Sequence, residues 1–197
     1  MSEVRNHSSE LLSDNWYVLR KHSFELKLRD GSWSSQVREA YDRGNGAAIL
    51  LYNRERGTVL LTRQFRLPTF VNGNADGMLI EACAGLLDDD NPVECIRRET
   101  EEELGYRITE VEPIMQTYMS PGSVTEILHL FLGEYQQGDK VSEGGGVAEE
   151  SEDIEEIECR FSEALDMIRS GEIRDAKTII LLQHLALDGR MAMSDKR

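Results

Sequence analysis

Arg98-Glu99-Thr100-Glu101-Glu102-Glu103-Leu104-Gly105 is the stretch on which the reading of this chain turns. Glu99, Glu102 and Glu103 stand at i, i+3 and i+4, so a helix of about 3.6 residues per turn gathers them on one face and sends Glu101 to the other side. Like charges at these spacings repel unless something cationic lies against the stripe. A hard divalent cation with oxygen ligands is the natural occupant. Val93, Ile96, Thr100 and Leu104 form an apolar stripe beside the carboxylates, spaced to face a core. Asn91 as N-cap, Pro92 at the first helical position and Gly105 as C-cap predict a helix over 92–104. Spacing alone leaves one alternative standing, an acidic helix solvated on the surface of an acidic protein.

Working outward, Tyr17 to Tyr41 reads as extended structure. Phe24, Leu26 and Leu28 alternate up to the turn signal Asp30-Gly31, and a return strand follows from Trp33, so an N-terminal hairpin is expected. Ala47–Tyr52 and Thr58–Phe65 are apolar runs around the turn Asn53–Gly57, and Ile127–Leu132 is another short strand. Gln136–Asp153, rich in Gly, Ser and acidic residues, reads as a mobile loop whose triple glycine, Gly144 to Gly146, is a hinge. Ser162–Ser170 and Asp175–Leu187 read as helices capped by Ser162 and Asp175, with a frayed tail over Met191–Arg197.

The chain's 197 residues, 40% of them hydrophobic, suit one domain with a full core. A net charge of -15 argues against nucleic acid and anionic membranes as partners. The three cysteines, Cys83, Cys95 and Cys159, give neither a disulfide framework nor a zinc pattern and are expected as buried thiols. The four histidines show no ligand spacing, and His129, inside an apolar strand, reads as a core residue. The polar Met1–Leu12 lacks an apolar signal region, and no run of about 18 apolar residues occurs, so a cytoplasmic location is expected.

Upstream of the helix lies Glu81-Ala82-Cys83-Ala84-Gly85-Leu86-Leu87-Asp88 and downstream Gly105-Tyr106. With the helix between them, over about 85–106, these resemble the Nudix box, the loop-helix-loop signature of hydrolases that cleave nucleoside diphosphates linked to another group. Asn91 stands where that box usually has a glutamate, and the stretch from there to Arg98 is one residue short; an Asn before Pro still caps the helix. Beyond the box, Tyr41-Asp42-Arg43-Gly44-Asn45-Gly46, Arg63-Gln64-Phe65-Arg66, Tyr118-Met119-Ser120-Pro121-Gly122, Val124-Thr125-Glu126 and Gly171-Glu172-Ile173-Arg174-Asp175 look like the bacterial GDP-mannose branch of that family, a relative of the ADP-ribose pyrophosphatases. Val71-Asn72-Gly73-Asn74, the triple glycine, and Cys83 where ADP-ribose enzymes usually have Pro favour the GDP-mannose branch.

The resemblance implies an α/β fold, a Nudix α/β/α sandwich with mixed sheet plus an N-terminal β-hairpin region. Residues 1–42 would serve dimerisation and substrate-base contacts in a homodimer, and 43–197 would form the hydrolase domain. It implies Mg2+-dependent hydrolysis of a nucleotide sugar, GDP-mannose to GMP and mannose 1-phosphate, with Mn2+ as another ion. ADP-ribose or another ADP-sugar is the alternative substrate, and a non-catalytic nucleotide sensor is a second alternative. Glu99, Glu102, Glu103 and the Ala84 carbonyl are the implied metal ligands, joined by Glu152 from the acidic loop. Glu99, Glu103 and Glu152 are the implied catalytic residues, with Glu152 as base, although an acidic run such as 149–153 is more often a solvated linker. Arg66, able to fork across two phosphate oxygens, is expected as the diphosphate clamp. Val37, Arg38 and Glu39 match the segment that reads base and ribose. Trp16 is expected either to stack on guanine or to fill the hairpin core. Ala84, Gly85, Leu86, Glu103, Glu126, Ser151, Glu152 and Lys177 match further substrate positions.

Overall fold

The computed structural model describes residues 3–87, 91–147 and 152–191. The expectations for Ser151 and for the tail 192–197 fall outside the described residues. The chain divides into two compact units, Met1–Asn45 with Tyr118–Ile127, and Gly46–Thr117 with Leu128–Arg197.

The first unit is an antiparallel sheet of β1 (Val4–Asp14), β2 (Val18–Lys27) and β3 (Trp33–Asp42), in that order. β2 and β3 form the expected hairpin, in unbroken register from Val18↔Asp42 to Lys27↔Trp33, around a turn where Gly31 takes φ +87°. Strand β1 adds a third member that the hairpin expectation lacked. Its sequence, Val-Arg-Asn-His-Ser-Ser-Glu-Leu-Leu-Ser-Asp, has no apolar alternation, and most of its side chains are exposed. Backbone pairing to β2 holds it, together with cross-strand contacts such as Arg5 Nε to Glu25 at 2.9 Å and the Arg5 guanidinium 3.8 Å over the Trp33 ring.

The second unit is built on β4 (Gly46–Asn53), β5 (Thr58–Phe65), β6 (Met78–Glu81), β7 (Cys83–Leu86), β8 (Glu112–Tyr118), β9 (Ile127–Glu134) and β10 (Glu155–Arg160). The sheet order is β10-β5-β4-β9-β8, with β6 beside β5 and β7 beside β4. β9 runs parallel to β4 while β5, β7 and β10 pair antiparallel, so the sheet is mixed as expected. β4 and β5 pair over only Leu51–Asn53 and Thr58–Leu60 and then part. β7 takes up Gly46–Ile49 of β4, and β6 takes up Thr62–Phe65 of β5.

Every residue of β4 is buried, which a strand reaches only when both faces are covered. Ala47, Ile49 and Leu51 join a core cluster with Cys95, Ile96 and Leu104 of α2 (Pro92–Leu104) and with Phe131 and Tyr135. Ala48, Leu50 and Tyr52 point the other way, toward the layer of α4 (Ala176–Asp188), with α3 (Phe161–Ser170) against α4, β5 and β10. The result is the α/β arrangement with helices on both faces.

The sequence reading lacked β6, β7, β8, β10 and the short α1 (Leu67–Val71). β6 and β7 are four-residue strands carrying Glu81 and Gly85, too short for a period to register. The stretch read as a mobile loop contains a 3-10 turn over Gln137–Asp139. α3 begins one residue earlier than expected, with Arg160 at its N-cap and no side-chain cap, so Ser162 lies inside the first turn. Met191, assigned to the frayed tail, is buried. Cys83 and Cys95 are buried free thiols, whereas Cys159 and His129 are half-buried. Among the described residues no helix is long and apolar enough to cross a membrane.

α2 forms as its caps predict. The Asn91 side chain accepts from the backbone N–H of Val93 at 3.0 Å and of Glu94 at 3.1 Å, and Gly105 closes the helix at φ +76°. Ile96, Thr100 and Leu104 are fully buried. Asn91→Ala should cost about 1 kcal/mol in urea unfolding, and Ile96→Ala roughly 2–5 kcal/mol. Equal costs would mean that the helix does not seat its apolar stripe in the core.

Candidate active site

The buried stripe of α2 carries one charged residue with it: Glu103 is only 2% exposed. Its carboxylate accepts the backbone N–H of Ala84 in β7 at 3.3 Å. Glu99, one turn earlier, lies against Gly85, where any Cβ would overlap its carboxyl group. Glu102 is more open, and Arg98 Nη1 stands 3.0 Å from both Glu99 and Glu102. Glu101 points away, as the wheel requires, and pairs with Arg107 at 2.7 Å.

Burial pushes the Glu103 carboxyl up to about 8, with repulsion from Glu99 and Glu152 adding to it, while the Cys83 thiol and Arg66 oppose. Glu99 is pushed up to about 7, again chiefly by burial, with Glu102 and Glu152 raising it and Arg98 lowering it. The Cys83 thiol, buried beside Glu103, is held well above its ordinary value. Glu99, Glu103 and Glu152 therefore feel one another as three carboxylates in one small region.

The segment Gly144–Val147 brings Glu152 there. Gly144, Gly145 and Gly146 take φ of +67°, +100° and +86° in succession, a path only glycine follows without strain. Along it, Gly145 N–H donates to the Glu103 carbonyl at 2.9 Å and Gly146 N–H to the Glu102 carbonyl at 3.0 Å, satisfying the end of α2. Val147 N–H then donates to the Glu152 carboxylate at 3.0 Å. A Cβ on Gly146 would come within 2.7 Å of Glu152. The triple glycine read as a hinge is docked on the end of α2 instead.

A second set of charges lies behind the first. Glu81, at the end of β6 and 3% exposed, receives Arg66 Nε on one oxygen at 2.6 Å and Lys177 Nζ on the other at 2.5 Å. Lys177 also meets Asp175 at 3.1 Å. Asp175 caps α4 by accepting from Thr178 N–H at 3.0 Å, and Thr178 Oγ1 accepts the Ala82 N–H at 2.7 Å. Burial pulls Lys177 down, but the facing Glu81 and Asp175 outweigh it and hold the ammonium above its usual range. Sequence reasoning missed Glu81, although it opens the quoted box segment. A lone glutamate closing the apolar run Met78-Leu79-Ile80 was the available signal.

Glu99, Glu103, Ala84, Gly85, Glu152 and Arg66 are thus brought together, and Lys177 joins them through Glu81. Leu86 is half-buried and its carbonyl accepts from Cys95 Sγ at 3.1 Å. Trp16, Val37, Arg38, Glu39 and Glu126 belong to the first unit. Trp16 is 84% exposed, so it does not fill a hairpin core. Val37 and Glu39 are exposed, and Arg38 folds back on the Val37 carbonyl at 2.7 Å. Glu126 is largely buried, with Arg43 at 3.6 Å.

Among the described residues no three Asp, Glu, His or Cys side chains form a ready-made metal cage. The Arg98 guanidinium lies where the Glu99 and Glu102 carboxylates would converge. The residues nevertheless fit a hard cation: the donors are carboxylate oxygens, burial and mutual repulsion raise two of the carboxyls despite Arg98 and Arg66, and Gly85 leaves the Glu99 carboxyl the space that a side chain would fill.

Residues 3–41 match the model described as the GDP-mannose pyrophosphatase NudK N-terminal domain, and residues 42–182 match the NUDIX domain. The chain is 58% identical to the GDP-mannose pyrophosphatase of Cronobacter sakazakii over 182 residues, 92% of this chain and 94% of that one. The protein of the same name from Pectobacterium atrosepticum is 57% identical over 183 residues, covering 93% and 94%. That from Yersinia enterocolitica is 56% identical over 187 residues, covering 95% and 97%. With the domain match running from residue 42 to 182 through the carboxylate helix and the cations behind it, this chain belongs to the Nudix family.

Proposed function

We propose that this protein hydrolyses the diphosphate bond of a nucleotide sugar, with GDP-mannose as substrate and GMP and mannose 1-phosphate as products, in the presence of Mg2+ or Mn2+. The observation that carries the reading is the convergence of Glu99, Glu103 and Glu152 against Ala84 and Gly85. Relatives named for GDP-mannose at 56–58% identity support the choice of substrate.

Glu99, Glu102, Glu103, Glu152 and the Ala84 carbonyl would hold the ion. When bound it supplies charge neutralisation of the diphosphate and a lowered pKa for attacking water. In-line displacement at phosphorus leaves the protein mainly to position and to compensate charge. Arg66 forks across two phosphate oxygens, and Lys177 adds positive charge beside it. Glu152, held by Val147 N–H, takes the proton of the water. Gly85, Leu86 and Glu126 are further substrate contacts, while Trp16, Val37, Arg38 and Glu39 take the base and ribose, a role that the exposure of Trp16 and Val37 supports. A homodimer in the cytoplasm completes the reading. The exposed Val4, Leu11 and Leu12 on β1 and the three free thiols support it. Light scattering that returns the mass of a single chain removes the dimer.

Product release from GDP-mannose, GDP-glucose and ADP-ribose, with and without Mg2+, tests the activity. Metal-dependent GMP release that prefers GDP-mannose is expected, with kcat lowered about 100-fold or more in Glu103→Gln. Preference for ADP-ribose replaces the substrate, and binding without turnover makes the protein a sensor. In the same assay Gly146→Ala should lower kcat about 10-fold or more by displacing Glu152, while Gly138→Ala, which meets open space, should not. Equal rates for the two would detach Glu152 from the chemistry.

The raised carboxyls also carry a stability signature. Glu99 and Glu103 titrate near 7 and 8 in the folded metal-free protein, above their ordinary 4.5, so the folded state binds more protons across that window. Stability in EDTA should therefore fall as pH rises from about 4.5 to about 8. Mg2+ should raise Tm more near pH 8 than near about pH 5.5, since protons and cation compete for the same oxygens. A Mg2+ effect equal at both would remove these carboxylates from the metal site.

A further inference from the structure

We propose that Glu81 is a positioning residue for diphosphate recognition: its carboxylate, bridging Arg66 and Lys177, fixes the guanidinium that meets the substrate. The inference rests on the reading of the site given above. Glu81 is buried, and its two oxygens are divided between two cations, Arg66 Nε at 2.6 Å and Lys177 Nζ at 2.5 Å. A carboxylate taken out of water in this way is tolerated when its lone pairs are answered by charge. Each of its two oxygens thus already has a cationic partner from the protein itself.

What the contact does to Arg66 follows from the shape of a guanidinium. The group is planar and donates along two edges, so anchoring Nε fixes the plane in which the Nη edge lies. Among the described residues no protein hydrogen bond engages that Nη edge, and Arg66 remains 38% exposed. The other end of the bridge is rigid. Lys177 sits in the first turn of α4 with Asp175 at 3.1 Å, Asp175 caps that helix, and Thr178 Oγ1 accepts the N–H of Ala82, the residue after Glu81. Glu81 is thus tied through its side chain and through its neighbour's backbone to one helix terminus. Arg66 inherits that rigidity, which lowers the ordering cost of meeting an anion.

The test compares wild type, Glu81→Gln, Glu81→Asp, Arg66→Ala and the Glu81→Gln/Arg66→Ala double variant. GDP-mannose affinity is measured by calorimetry in EDTA, and kcat, KM and the Mg2+ activation curve in the assay. Glu81→Gln should raise Kd and KM about 10-fold, leave the Mg2+ half-activation unmoved, and add nothing to the loss already present in Arg66→Ala. Glu81→Asp, with its charge kept but one methylene short, should move Kd the same way by less. Additive losses in the double variant overturn the proposal, as does a shifted Mg2+ curve, which would make Glu81 a ligand. A lowered Tm with unchanged Kd overturns it as well, leaving a structural role alone. Should the Glu81 variants fail to fold, an Arg66→Ala protein that binds GDP-mannose as tightly as wild type overturns it by itself. A wild type that binds GDP-mannose without releasing GMP defeats the hydrolase reading and not this one, whose coupling is still read from Kd.

Discussion

Holding a carboxylate out of water costs several kcal/mol unless charge or hydrogen bonds answer it, and α2 does so on successive turns at Glu99 and Glu103. The surroundings can be understood as responses. Ala84 N–H is aimed at Glu103, Arg98 lies between Glu99 and Glu102, and the field of Arg66 reaches Glu103. Glycine occupies positions 85 and 146 because a side chain at either would displace Glu99 or Glu152. The glycines of the site are a packing consequence of crowding three acidic groups into a small volume, and the residual repulsion is what a bound cation would relieve.

How much of this was legible in the sequence depended on whether the cause was local. α2 was legible to the residue because its causes are neighbours in the chain: the Asn91 cap, Pro92, the apolar stripe and Gly105. Spacing put Glu99 and Glu103 on one face of that helix but left a solvated acidic surface standing, and the flanking segments of the box decided between the two. β1 was not legible, because its sequence has no apolar alternation and it is held by backbone pairing to β2, from Asp14↔Val18 to Val4↔Leu26, and by Arg5 on Glu25 and Trp33. β6 and β7 were hidden because each is four residues long and is explained by the parting of β4 from β5. The cap expected at Ser162 failed for a related reason: β10 runs directly into α3, so the strand's last residue, Arg160, takes the capping place.

The triple glycine shows the same limit from the other side. Composition predicts freedom for such a run, and an isolated peptide of this sequence would have it. Here its three left-handed residues let backbone N–H groups reach the last carbonyls of α2, so the residues with the most freedom to lose are spent where a close approach is needed. Charge composition was similarly partial. A net charge of -15 argues against polyanionic partners, but it does not reveal that Arg66 and Lys177 share one glutamate.

Glu81 grips the cations, and Ala84, three residues on, hands its N–H to Glu103. Three peptide steps span at most about 10 Å. Both ends are fixed by pairing, Glu81 to Thr62 on β5 and Ala84 to Ala48 on β4. The positive and negative halves of the site are therefore spaced by a covalent ruler, and one residue gained or lost between them would turn one half to the wrong face of the sheet. A turn such as Asn53–Gly57 can absorb an extra residue during evolution; the step from Glu81 to Ala84 can change its side chains but not its length.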